Sequence, residues 1–182
     1  MFIARKLKRE NICEYLLYMW QIEDLLRAFN LDAEAVNQRI VAHYPVNSES
    51  ERKELSEWYE SLIEMMRLEN IQEKGHLQLN KNIIIELEDF HELILKSGKV
   101  PAYNAKFFHV LPFINQFKLK ADNNLSDVEQ CFNFQYGYLL LRMKKTEISA
   151  QTQQTQTEIS KFLVLLARNY QLHRNGELDL EE

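Results

Sequence analysis

Residues 11–30, NICEYLLYMWQIEDLLRAFN, decide how the rest of the chain is read. Ile12, Tyr15, Leu16, Met19, Ile22, Leu26 and Phe29 recur at intervals of three and four, which places them on one stripe of an α-helix. Glu14, Gln21, Asp24 and Arg27 fall largely off that stripe and are expected in solvent; Glu23 sits beside Ile22, next to the seam. A cysteine, a methionine and aromatics at this spacing read as core, not as a reactive site.

The same period extends outward. Leu55, Trp58, Tyr59, Leu62 and Met66 repeat it, then Ile83, Leu87, Phe90 and Ile94, then Phe107, Val110, Leu111, Ile114 and Phe117. Breaks separate these helices. Pro45 cannot continue a helix, and Ser48 with Glu51 fits a capping box. Gly98 suits a helix end and Pro101 the first turn of the next helix. Asp122-Asn123-Asn124 forms a turn cluster before a second capping box, Ser126 with Glu129, and Asn175-Gly176 stops the last helix. A further break is expected near Gly75, and Pro112 should kink the helix of residues 101–121.

An unbroken helix from Ser126 to Arg174 would run about 73 Å, too long for a domain of this size. Lys144 and Lys145 suit a helix C-terminus and Ser149 an N-cap, so a turn is expected at 146–149, with a flexible linker as the alternative. Phe132, Phe134, Tyr136 and Tyr138 alternate with Asn133, Gln135 and Gly137, the period of a strand. A lone strand has no partner for its backbone, so these residues read instead as a centrally buried helix, with Gly137 admitting a close neighbour. The expectation is therefore all-α: one domain over residues 1–182, a single helical bundle of six or seven helices, one kinked at Pro112, ending in a short acidic tail at 177–182.

Composition agrees. A chain of 182 residues, 46% of them apolar, builds a sizeable core, while 4 Gly and 3 Pro leave little material for the turns of a sandwich or barrel. Net charge is −5, which opposes nucleic acid binding. The basic cluster Arg5, Lys6, Lys8 and Arg9 is followed by Glu10, Asn11 and Glu14, which interrupt any signal-like apolar run, and no stretch is long enough to span a membrane. Cys13 and Cys131 each lie beside apolar helical residues and read as small buried hydrophobes in a cytoplasmic protein.

Candidate sites are sparse. Glu73/His76 and Glu88/His91 match E-x-x-H, the spacing that di-iron bundles use, with Glu23, Glu60 or Glu64 as the nominees for bridging carboxylates. The two copies lie 15 residues apart, about 22 Å along one helix, too far for one dimetal centre. His91 reads more simply as a hydrogen-bonded or exposed helix residue. No Gly-rich phosphate loop and no nucleophile–histidine signature is present, so neither a cofactor nor a catalytic residue is assigned. Phe107, Phe108, Phe113, Phe117, Phe132, Phe134, Tyr136 and Tyr138 are rich enough in surface to line an apolar pocket between helices, or else fill the core.

The run EYLLYMWQIEDLLRA (residues 14–28), GHLQLN, and the ending with TEIS, LLARNY and NGEL resemble, over nearly the full length, an uncharacterised family of bacterial proteins of about 180 residues, a domain of unknown function from gut anaerobes. The resemblance implies a helical cytoplasmic protein and carries no activity, cofactor or catalytic residue. What remains is a non-catalytic helical interaction or regulatory module, expected to be a homodimer with Trp58 and Tyr59 as interface anchors and with room for another protein partner. The alternative is a small-molecule binder or enzyme using the aromatic pocket or the Glu88/His91 pair.

Overall fold

The computed structural model describes residues 1–118 and 125–180. Among them stand eight α-helices and no strand: α1 (Phe2–Glu10), α2 (Ile12–Ala28), α3 (Ala33–Val36), α4 (Glu49–Leu68), α5 (Gln78–Ser97), α6 (Pro101–Lys118), α7 (Asp127–Met143) and α8 (Ala150–Arg174). Helix α3 runs on into a π-helical segment, Asn37–Val41. The all-α class is as expected, and the count exceeds six or seven because α1 is a separate helix. Asn11 divides it from α2, its side-chain oxygen accepting from Cys13 N at 3.1 Å.

Sequence signals at the helix ends act as their chemistry dictates. Ser48, Ser126 and Ser149 each accept from the backbone N–H three residues on, at 3.2, 3.0 and 3.2 Å. The carboxylate of Glu51 returns to Asn47 N at 2.8 Å, one residue before the cap, a shifted form of the expected box. Asp32, not marked in the sequence, caps α3 through bonds from Glu34 N and Ala35 N. At the C-termini, α2, α4, α7 and α8 close with a left-handed residue (Asn30, Asn70, Lys145 and Gly176) and a bond from the next N–H back to the helix, as in Leu31 N to Leu26 O and Ile71 N to Met66 O. The turn between α7 and α8 therefore falls at 144–149, as expected. The break near Gly75 is a loop over residues 69–77, with Gly75 at φ +93°. The Asp122–Asn124 turn cluster lies outside the described residues.

Two readings of α7 need correction. The aromatics of 132–138 are helical, but α7 is not buried all round: Phe132 and Tyr136 are buried one turn apart, while Phe134 and Tyr138 are half-buried. A Cβ added at Gly137 would meet nothing within 4 Å, so that glycine admits no close neighbour. In α6 the helix runs through Pro112, whose exposed position is the side where a missing backbone bond is best tolerated.

The described chain divides into two compact units, residues 1–10 with 14–82, and residues 11–13 with 83–182. In the first, the stripe of α2 is buried from Tyr15 to Leu26 and α4 buries Leu55, Tyr59, Leu62, Ile63 and Met66. In the second, α6, α7 and α8 pack against one another around Tyr103, Phe107, Phe132 and Phe162. The start of the acidic tail folds back: Leu178 O accepts from His173 Nδ1 at 3.0 Å and Leu180 is buried.

Candidate functional site

The densest polar centre is built on Glu23, which the stripe carries into the first unit with 1% exposure. Its carboxylate accepts three hydrogen bonds: from His76 Nδ1 at 2.6 Å, Leu77 N at 3.0 Å and Asn80 Nδ2 at 2.7 Å. The His76 ring stacks on Trp20, centroids 4.0 Å apart and planes 13° from parallel. One turn on, Arg27 donates to Ile71 O and Gly75 O and pairs with Asp24 at 2.8 Å. Consecutive turns of α2 thus hold both ends of the 69–77 loop. Leu77 N and Gln78 N are donors that a helix start leaves open, and Glu23 and Glu69 satisfy them from outside α5 with the charge its dipole favours. A carboxylate-oriented imidazole is also half of a general-base arrangement. Here its geometry caps a helix and pins a loop.

The expectation that the acids of α2 lie in solvent fails at Glu23. It holds partly at Asp24, whose side chain is 43% exposed, while Arg27 is largely covered at 14%. Of the E-x-x-H pairs, Glu73 is exposed in the loop while His76 joins Glu23. Glu88 accepts from the Ser126 hydroxyl, and buried His91 bonds through Nδ1 to Tyr103 O–H at 2.6 Å. Burial holds the His91 imidazole below its ordinary pKa and pushes the Tyr103 phenol up, so the phenol donates and the neutral imidazole accepts. Glu60 is bonded to Asn37 and Ser56, and Glu64 is exposed. Among the described residues no group of three or more His, Cys, Asp or Glu side chains is placed to hold a metal ion.

Phe107 packs edge-on to His91 at 4.5 Å and Phe132 is fully buried. Phe117 meets Phe134 at 4.4 Å, and Phe108 stands 62% exposed. Among the described residues, one cleft of about 650 Å³ lies between the π-helical segment and the start of α4, and one of about 510 Å³ lies beside Arg27 and Arg67. Trp58 is half-buried, edge-on to Tyr59 at 4.9 Å, while Tyr59 is core at 3% exposure.

Sequence periodicity marked the buried stripe of α6 but gave no warning of its outer face. Among its described side chains the exposed ones are Pro101, Ala102, Ala105, Phe108, His109, Pro112, Asn115 and Gln116, none of them Asp, Glu, Lys or Arg. The outward face of α4, by contrast, carries Lys53, Glu54, Glu57, Glu60, Glu64 and Arg67. Along one edge of the α6 face, Glu158 of α8 accepts from Lys106, from Lys161 at 2.8 Å and from His109 Nε2 at 3.1 Å. The two lysine bonds bring the Glu158 carboxyl down to about 2.

Among the described residues, fold and sites together define an all-helical protein with a loop-pinning polar centre and, on α6, an outward helix face without Asp, Glu, Lys or Arg. No described helix is long and apolar enough to cross a membrane. The chain belongs to the family described as domain of unknown function DUF4924, whose profile matches residues 1–177. The resemblance to an uncharacterised family is thereby borne out, and the function of the protein is unknown. No curated protein and no solved structure matches the chain.

Proposed function

We propose that this chain is a non-catalytic helical interaction module that presents the outward face of α6 to another protein surface. The observation that carries the reading is the face itself: Ala102, Ala105, Phe108 and Pro112 are exposed on one side of an eighteen-residue helix, with no Asp, Glu, Lys or Arg among the described exposed positions. Solvent-facing helix sides ordinarily carry charge, as α4 does, and a helix apolar on its outer side is one that expects cover. Aromatic residues are enriched, and charged ones depleted, at the centre of a protein interface. The Trp58/Tyr59 anchor expected from the sequence is less apt, because Tyr59 is already in the core.

On this reading the module works in a bacterial cytoplasm, without a membrane or nucleic acid partner. The net charge of −5 and the two buried thiols, Cys13 and Cys131, support that setting. Photo-crosslinking tests the reading, with a photoreactive phenylalanine at position 108 and a control at Glu57. Protein adducts from 108 and none from 57 in native cells support it. Equal yields, or none from 108, overturn it.

A further inference from the structure

We infer that the occupant of the α6 face is a second copy of this chain, docked about a two-fold axis; the inference rests on the interaction-module reading above. Charge singles out the face. Two copies, each of net charge −5, repel wherever acidic surfaces meet, and a two-fold contact opposes a patch to itself. A patch such as the outer side of α4 would bring like charges together. Among the described residues the α6 face brings no Asp, Glu, Lys or Arg against its copy, and Lys106, Lys161 and His109 at its edge are already engaged by Glu158.

Shape agrees with charge. An antiparallel pairing of α6 with its copy, centred between Ala105 and Phe108, sets each Phe108 over Ala105 of the second copy and each Pro112 beside Pro101 of the second copy. Large residues meet small ones, the condition for close helix packing. The eighteen residues of α6 span about 27 Å, and at a width of about 10 Å the footprint is roughly 270 Å² per copy, well under the ~800 Å² of a stable interface. The dimer is therefore weak and reversible, and its population rises with concentration.

Sedimentation equilibrium on the purified full chain, from low to high micromolar concentration, tests this. The mass should climb from 21.8 kDa toward twice that value. Phe108→Glu should weaken association by about tenfold or more while leaving the helical circular dichroism intact, and Trp58→Glu should leave association unchanged. Mixing Phe108→Glu with Ala105→Lys should restore mixed dimers, because the two positions face each other. A mass of 21.8 kDa at every concentration overturns the inference. So does a dimer indifferent to Phe108→Glu, or one dispersed by Trp58→Glu. If the chain stays monomeric while position 108 crosslinks to a different protein, the second copy is wrong and the module reading stands.

Discussion

Glu23→Ala removes the acceptor of three hydrogen bonds from the interior of the first unit. Leu77 N–H and the Asn80 amide lose their partner in a buried setting, Asn80 itself being 0% exposed, whereas His76, 28% exposed, can turn to water. A hydrogen bond to a charged acceptor contributes about 1.5–3 kcal/mol, and removing one partner of a buried polar cluster costs about 3–5 kcal/mol in all, since the three bonds share one carboxylate and do not add. The expected loss is about 3–5 kcal/mol, which for a chain of this length lowers Tm by roughly 6–20 °C. Glu23→Gln keeps the shape and one acceptor oxygen and should fall between Ala and wild type. Urea denaturation followed by circular dichroism gives the free energies. Amide exchange at Leu77 and thermolysin cleavage within 69–77 report whether the loop has been released, and both should rise. A loss under about 1 kcal/mol, no greater than that of a half-exposed acid, would refute the claim that Glu23 pins this loop.

Other outcomes follow from the same geometry. Leu26→Ala, at a fully buried position, should cost about 2–5 kcal/mol, and Asp24→Ala, at a partly exposed one, less than about 1 kcal/mol; urea midpoints rank them. His91 stays neutral in the fold because burial holds its pKa below 6.5, so the unfolded chain binds the extra proton. Stability should decline as pH falls below 6.5, and His91→Gln should flatten that decline in melts across the range. Glu158, held down to about 2, contributes stability that is present above its ordinary 4.5 and lost as pH falls toward 2; Glu158→Gln should remove this acid sensitivity. We also propose that the chain folds as one domain, since α2 and α5 each contribute residues to both compact units; calorimetry should then show a single transition with matching calorimetric and van't Hoff enthalpies.

Helix positions were legible because periodicity and punctuation are local. Ser48, Ser126, Ser149, Pro101 and Gly176 each act within a few residues of themselves, and the loop at Gly75 needs only a residue that tolerates a positive φ. Glu23 was legible in part. It lies next to the seam, three residues after Trp20 and three before Leu26, both of which the fold buries, yet a carboxylate there reads as solvated until its donors are known. Those donors come from residues 76–80, more than fifty positions on, and no local pattern announces them. The His76 spacing to Glu73 pointed to a helical pair, and the loop around Gly75 dissolves that pair. The α6 face escaped for the opposite reason. A helix apolar on most sides looks fully buried in sequence, and only the packing of α7 and α8 against one side of it reveals which apolar residues are left outside.

Cysteine protection tests most directly whether the α6 face is covered in its native setting. Native Cys13 and Cys131 are 4% and 0% exposed, so thiol labelling of an Ala105→Cys variant, which leaves the Phe108 anchor in place, reports on the exposed position 105 of the same face against a low background. The account predicts fast maleimide labelling in dilute purified protein and protection inside the cell, with a Glu57→Cys control labelled equally in both. Equally fast labelling of position 105 in the cell and in dilute solution would contradict it.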